Sequence, residues 1–229
     1  MNVYKVIDII EKEPEVYAIL KYCPYEILKR FVVKEYKKGM FILNQEEVYD
    51  TFYIMVEGTV DIYVMSEAGK KYSLARYKKG NYIGEHEIFE RKPYSCYVEG
   101  LSNIKLLELD RNNFLKWFSL DRNLNEYITK TLCSQFYMLS KKAGKDTLYT
   151  LKQKICQYLI DNVGNSGNKT VLKINIEKDQ LSEQLAVTQR SVNRVLKDLK
   201  EQDIIEIESN FIIIRDFDKL KSIVDRVDS

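Results

Sequence analysis

Between residues 32 and 109 the chain consists of short runs of β-branched and aromatic residues, each cut off by a turn signal. No other feature restricts the fold as much. The runs are "FVVKEYKKGMFI", "DTFYIMVEGTVDIYVMSEAGKKYSLARYKKGNYIGE" and "CYVEGLSNIKLLELD". Val60, Ile62 and Val64 alternate with Asp61, Tyr63 and Met65, as in a strand with one buried face. Lys38-Gly39, Glu57-Gly58, Ala68-Gly69 and Lys79-Gly80 provide the turns. Strands of this length and spacing predict a sandwich or a barrel.

Helical periods flank this block. Before it, Val6, Ile9, Ile10, Val16, Ile19 and Leu20 recur at helical spacing. After "LDRNNFLKWF", the residues Leu124, Ile128, Leu132, Gln135, Leu139 and Lys142 step by four and three. This heptad-like seam is apolar at first and polar toward its end. Such a helix can pack on its own β domain or on a second copy. The expectation is dimerisation through Leu124, Ile128, Leu132, Gln135 and Leu139. A further helix, "TLYTLKQKICQYLIDNVGNSGN", runs into a Gly/Asn/Ser cluster that reads as a loop, and the short strand "TVLKINI" follows.

Near the end, "VTQRSVNRVLKDL" places Val192, Val195, Leu196 and Leu199 on one helical face and Gln189, Arg190, Asn193, Arg194 and Lys197 on the other. Leu181 and Leu185 supply a preceding apolar helix, Ala186-Val187 a turn, and Thr188 an N-cap. This is the pattern of a helix-turn-helix whose second helix offers amides and guanidinium groups to base edges in the major groove. Between Thr188 and Lys200, four basic residues (Arg190, Arg194, Lys197, Lys200) face only Asp198. Over the whole chain the net charge is +2, so positive charge is local to this helix. "IIEIESNFIIIRD" reads as a hairpin turning near Ser209-Asn210, a wing whose Glu206 and Glu208 suit phosphate poorly.

The four cysteines, Cys23, Cys96, Cys133 and Cys156, lie far apart and form no CxxC pair. Dispersed thiols and the lack of a secretion signal or a long apolar run predict a cytoplasmic protein without a membrane partner. The one histidine, His86, cannot assemble a cupin metal site, and no nucleophile motif appears, so an enzyme is not expected.

The order of β-roll, long helix and winged helix-turn-helix resembles the CRP/FNR family of bacterial transcription regulators over nearly the whole chain. Two stretches carry the resemblance: "KKGMFILNQEEVYDTFYIMVEGTVDIYVMSEAGKKYSLARYKKGNYIGEHEIF", with Gly39 and Gly84-Glu85, and "IEKDQLSEQLAVTQRSVNRVLKDLKEQDII". The implied fold is α+β. It comprises a double-stranded β-helix (jelly-roll) sensor domain over residues 1–120, a dimerisation helix over 121–146, and a winged helix-turn-helix domain over 147–229. The implied partners are a palindromic double-stranded DNA operator, a second copy of the chain, RNA polymerase and a small effector. Thr188, Gln189, Arg190, Ser191, Asn193, Arg194 and Lys197 would contact DNA.

The effector cassette departs from the family. Gly84, Glu85 and Ser95 in "GEHEIFERKPYSCYV" match, but Tyr94 stands where an arginine would pair with a cyclic phosphate. A phenol cannot replace a bidentate guanidinium. Arg91 is nearby, as is Lys92. On the long helix, Leu139 stands at the adenine-contacting threonine position, and Ser140 matches its neighbour. Cyclic AMP is therefore not expected, and no cofactor is, neither haem nor an iron–sulfur cluster. On the recognition helix, Arg190 replaces the family's usual acidic residue, so the half-site should differ from the best-known consensus. The expected function is a homodimeric, sequence-specific regulator controlled by an effector other than cyclic AMP. The alternatives are an effector-independent regulator with a self-filled pocket, or a β-roll adaptor that binds no DNA.

Overall fold

A computed structural model describes residues 3–163, 173–175, 178–208 and 211–225. The chain begins with α1 (Val3–Lys12), α2 (Pro14–Leu20) and α3 (Tyr25–Leu28). Eight strands follow: β1 (Val32–Tyr36), β2 (Ile42–Leu43), β3 (Thr51–Glu57), β4 (Thr59–Met65), β5 (Lys71–Lys78), β6 (Tyr82–Ile83), β7 (Tyr97–Gly100) and β8 (Ile104–Asp110). Next come α4 (Arg111–Leu120), α5 (Arg122–Leu148), α6 (Leu151–Val163), β9 (Lys173–Asn175), α7 (Lys178–Gln184) and α8 (Gln189–Glu201). The chain closes with β10 (Ile205–Glu208), β11 (Phe211–Ile214) and α9 (Phe217–Asp225). It divides into two units, Met1–Phe136 and Tyr137–Ser229, so the division falls inside α5 rather than at either of its ends.

The first unit is the roll. Its strands form two antiparallel four-stranded sheets, ordered β1-β8-β3-β6 and β2-β7-β4-β5. Strand β3 shows why the sequence there is almost continuously apolar. Phe52, Ile54 and Val56 point into a core shared with the helices, with Val6, Val16, Phe114 and Trp117. Tyr53 and Met55 point the other way, into the roll interior with Phe41, Leu43, Val98 and Leu106. A strand covered on both faces has no solvent side to carry polar residues. The turn into β4 needs Gly58, at φ +88°, because a Cβ there would lie 2.3 Å from the Asn103 carbonyl oxygen.

Strand β4 departs from simple alternation. Asp61, expected on its polar face, is 1% exposed. It accepts from Ser73 Oγ at 2.5 Å and pairs with Lys71 Nζ at 2.8 Å. Lys71 in turn lies 4.1 Å from the Tyr63 ring centroid. The carboxylate is covered because neighbours on β5 neutralise it.

Helix α5 corrects the expected seam. Leu124 and Ile128 are buried in the core of their own unit, and Leu132 packs against that core. Of the two roles open to this helix, its first turns cover their own roll. Its exposed apolar residues come later: Phe136 at the end of the first unit, then Tyr137, Met138, Leu139 and Leu148 in the second.

The second unit has its own core, in which Ile155, Cys156 and Leu159 of α6 meet Leu181, Val192, Leu196, Leu199 and Ile212. Its sheet is ordered β10-β11-β9, and Ile212 sits opposite both Ile207 and Ile174. The hairpin turn at Ser209-Asn210 and the Gly/Asn/Ser cluster after Val163 lie outside the described residues.

Candidate nucleic-acid interface and effector cassette

Helices α7 and α8 are joined by the predicted turn. Ala186 adopts φ +51°, a left-handed conformation that a small side chain tolerates better than a branched one. Val187 N donates to Ser182 O at 3.0 Å. Thr188 caps α8, its Oγ1 accepting from Ser191 N at 3.2 Å. Val192, Val195, Leu196 and Leu199 are buried, so the opposite face must point outward. Gln189, Arg190, Asn193 and Arg194 are all exposed there, with Ser191 half-buried between them. No hydrogen bond or ion pair to another described residue engages these four side chains. Lys197 is also exposed, 3.5 Å from Glu201.

The other acid of α8, Asp198, is neutralised from behind. Lys152 Nζ lies 2.8 Å from Asp198, and that bond holds the Asp198 carboxyl below the usual carboxylate range. On the wing, Arg215 pairs with Glu206, which removes that acid as an isolated repulsive charge. The result is a surface of amide and guanidinium donors with its anions paired, as a polyanion requires.

The cassette in the first unit has the opposite character. Gly84, at φ +100°, carries the chain into a turn, and Glu85 is 3% exposed. Burial pushes the Glu85 carboxyl up to about 7, against the lowering pull of His86 and Gln135. Its side-chain contacts are long, Gln135 Nε2 at 3.5 Å and His86 Nε2 at 3.6 Å, beside a hydrogen bond from its own backbone amide. Tyr94, at the phosphate-pairing position, is buried within the roll interior beside Tyr49, with ring centroids 5.1 Å apart. Its hydroxyl has no partner among the described residues and lies 2.8 Å from where a Cβ on Gly84 would stand.

Three placements differ from expectation. Arg91 turns away from the cassette: at φ +55° it pairs with Asp50, its Nη2 2.7 Å from Oδ2, and is largely exposed. Lys92 likewise pairs with Glu90. Gln135, expected in a dimer seam, instead reaches its own roll and donates through Nε2 to Tyr77 Oη at 2.8 Å. Leu139 and Ser140 are exposed in the second unit.

Glu87 is a site residue that the sequence alone did not single out. It accepts from the Ser95 amide at 3.2 Å and from Ser95 Oγ at 3.0 Å. The serine matched to the family's phosphate contact is therefore occupied by a carboxylate. The only hint in the sequence was a second acid two residues after Glu85.

Residues 33–121 match the cyclic nucleotide-binding domain family, and residues 153–223 match the Crp-like helix-turn-helix domain family. The chain is similar to the cAMP-activated global transcriptional regulator CRP of Salmonella typhimurium, at 21% identity over 186 residues, 80% of this chain and 89% of the relative. It is also similar to the CRP-like cAMP-activated regulator of Mycobacterium tuberculosis, at 19% identity over 199 residues, 85% of this chain and 88% of the relative. Among solved structures, a CooA mutant from Carboxydothermus hydrogenoformans superposes with a TM-score of 0.71 at 18% identity, covering 90% of this chain and 94% of that one. CprK complexed with OCPA gives 0.67 at 17% identity, with coverages of 86% and 91%. These likenesses are to regulators rather than enzymes, and they agree with the roll, the long helix and the exposed donor face of α8: the chain belongs to the CRP/FNR family of DNA-binding transcription regulators.

Proposed function

We propose that the protein acts as a homodimer on a palindromic operator, with RNA polymerase as its partner, under the control of a small effector that is not a cyclic nucleotide. The observation that carries the effector reading is the Glu87–Ser95 pair beside Tyr94. A cyclic phosphate there would meet a carboxylate and a phenol instead of a guanidinium. Losing that charge-assisted partner costs several kcal/mol, or about a thousandfold in affinity. The relatives named above are cAMP-activated, yet CprK, which has this fold, was solved complexed with OCPA. The fold is compatible with changes of effector.

The exposed apolar stretch at Phe136 to Leu139 supports self-association through the later turns of α5. Two α8 helices about one DNA turn apart would then read two half-sites. Arg194 and Arg190 would bond guanine edges, and Gln189 and Asn193 adenine edges. Lys197 and the Thr188 and Ser191 hydroxyls would hold the flanking backbone.

Selection of bound DNA from a random pool tests the operator, and calorimetry with cyclic AMP and cyclic GMP tests the cassette. A palindrome should emerge, and neither nucleotide should bind at micromolar concentration. Micromolar binding of either would overturn the effector reading. A second reading, a pocket filled by its own side chains, is favoured by the burial of the Tyr94 ring, which is 3% exposed in the roll interior.

A further inference from the structure

The cassette holds two carboxylates and no strongly paired cation. Glu85 and Glu87 are 3% and 9% exposed. The nearby cations are spent elsewhere, Arg91 on Asp50 and Lys92 on Glu90. His86, the remaining basic group, is half exposed and stands 3.6 Å from Glu85, beyond good hydrogen-bond length. Beyond its own backbone amide, the Glu85 carboxylate has only these distant side-chain partners, and a positively charged donor that reached it would add what they do not supply.

The walls are tyrosines. Tyr77, Tyr82 and Tyr94 all lie close enough to feel the Glu85 carboxylate, and burial together with that charge raises all three phenols. The Tyr94 hydroxyl, in a residue 3% exposed, lies beside Gly84 with no hydrogen-bond partner among the described residues. Phenol oxygens and carboxylates are hydrogen-bond acceptors, the surroundings in which an ammonium N–H group is bound. A metal ion fits less well: among the described residues no three His, Cys, Asp or Glu side chains converge to hold one.

We infer that this cassette takes a small organic cation, an alkyl- or arylammonium, bound between Glu85 and Glu87 against the tyrosine walls. The inference rests on the reading that the roll holds an effector other than a cyclic nucleotide, and it names that effector's class. The ammonium N–H groups would donate to the two carboxylates, and the Tyr94 ring would shift aside to line the bound group. Gln135 contacts both Glu85 and Tyr77, so a ligand that takes Glu85 competes directly with a side chain of α5. Occupancy is in this way felt on the helix just before its exposed Phe136.

Calorimetry on the full chain with benzylammonium chloride tests this, with benzyl alcohol as the neutral isostere and sodium chloride at matched ionic strength. Saturable millimolar or tighter binding of benzylammonium is expected, and none of benzyl alcohol. Glu87→Gln should weaken binding at least tenfold, while circular dichroism shows an unchanged fold. Gln135→Ala, which removes the competing amide, should tighten it. No saturation with benzylammonium in the wild-type chain would overturn the inference, as would equal binding by the Glu87→Gln variant or by benzyl alcohol. DNA selection keeps the two readings apart. If a palindrome emerges and cyclic nucleotides fail to bind while benzylammonium also fails, the cation assignment alone falls.

Discussion

Gln135 donates to Tyr77 Oη at 2.8 Å, joining the long helix α5 to strand β5 of the roll. The same amide nitrogen lies 3.5 Å from the Glu85 carboxylate, so one helix residue senses both the sheet and the cassette. Its neighbour Phe136 is 72% exposed, so the polar anchor and the free apolar surface are adjacent in sequence.

Substitutions along α5 should therefore fall into two classes. Ile128→Asp places a charge in the core of its own unit and should cost about 3–5 kcal/mol, lowering the melting temperature steeply. Phe136→Asp should leave the melting of the monomer nearly unchanged and convert dimers to monomers. Light scattering and thermal unfolding, measured on both variants, check the contrast. Monomers of normal stability from Ile128→Asp would contradict the burial.

The buried Glu85 should make stability fall as pH rises. Its carboxyl titrates near 7 in the folded chain and near 4.5 when unperturbed. Between those values the folded protein retains a proton that the unfolded chain has released, so raising the pH favours unfolding. His86, Glu87, Tyr77, Tyr82 and Tyr94 surround it. The tyrosines stay protonated in this window because burial raises them further. Glu85→Gln should match the wild type near pH 5 and exceed it by about 1–3 kcal/mol at pH 8. Denaturant unfolding at the two pH values checks this. A variant less stable than wild type at pH 8 would contradict it.

On the DNA face, Arg194→Ala should cost about 1–3 kcal/mol of operator affinity and relax one base position. Lys197→Ala should weaken binding to all sequences alike and reduce the salt slope by about one. Competition binding against single-base operator variants separates the two effects.

Thr188→Ala should destabilise the second unit by about 1 kcal/mol through loss of the cap on Ser191 N. Thr188→Ser keeps an acceptor and should restore most of it. Thermal unfolding of the two variants, followed by circular dichroism, provides the comparison.

Much of this architecture was legible in the sequence because it rests on periodicity and turn chemistry. The glycine turns all bear positive φ where expected, at Gly39, Gly58, Gly69 and Gly80. The α8 cap at Thr188 and its apolar face were likewise visible, since local rules set both. Partner choice was harder to read. A heptad-like run at Leu124 and Ile128 fits a partner helix and an adjacent sheet equally well, and only the tertiary fold distinguishes them. The outward turn of Arg91 and the inward placement of Glu87 were hard to read for a similar reason. Which charge turns inward depends on Asp50, 41 residues away from Arg91, and on the backbone turn at Arg91 itself.

Trp117 is the one tryptophan in the sequence. It lies fully buried in the first unit, edge-on to Phe31 with its Nε1 donating to Asp121 Oδ2 at 3.0 Å. Indole emission from this protein therefore reports on the roll alone, blue-shifted while that core is intact and red-shifted once water enters. The helix-turn-helix unit contributes no indole signal, so its melting shows in far-ultraviolet ellipticity but not in tryptophan emission. Recording both signals in one titration separates the unfolding of the sensor from that of the reader without labels.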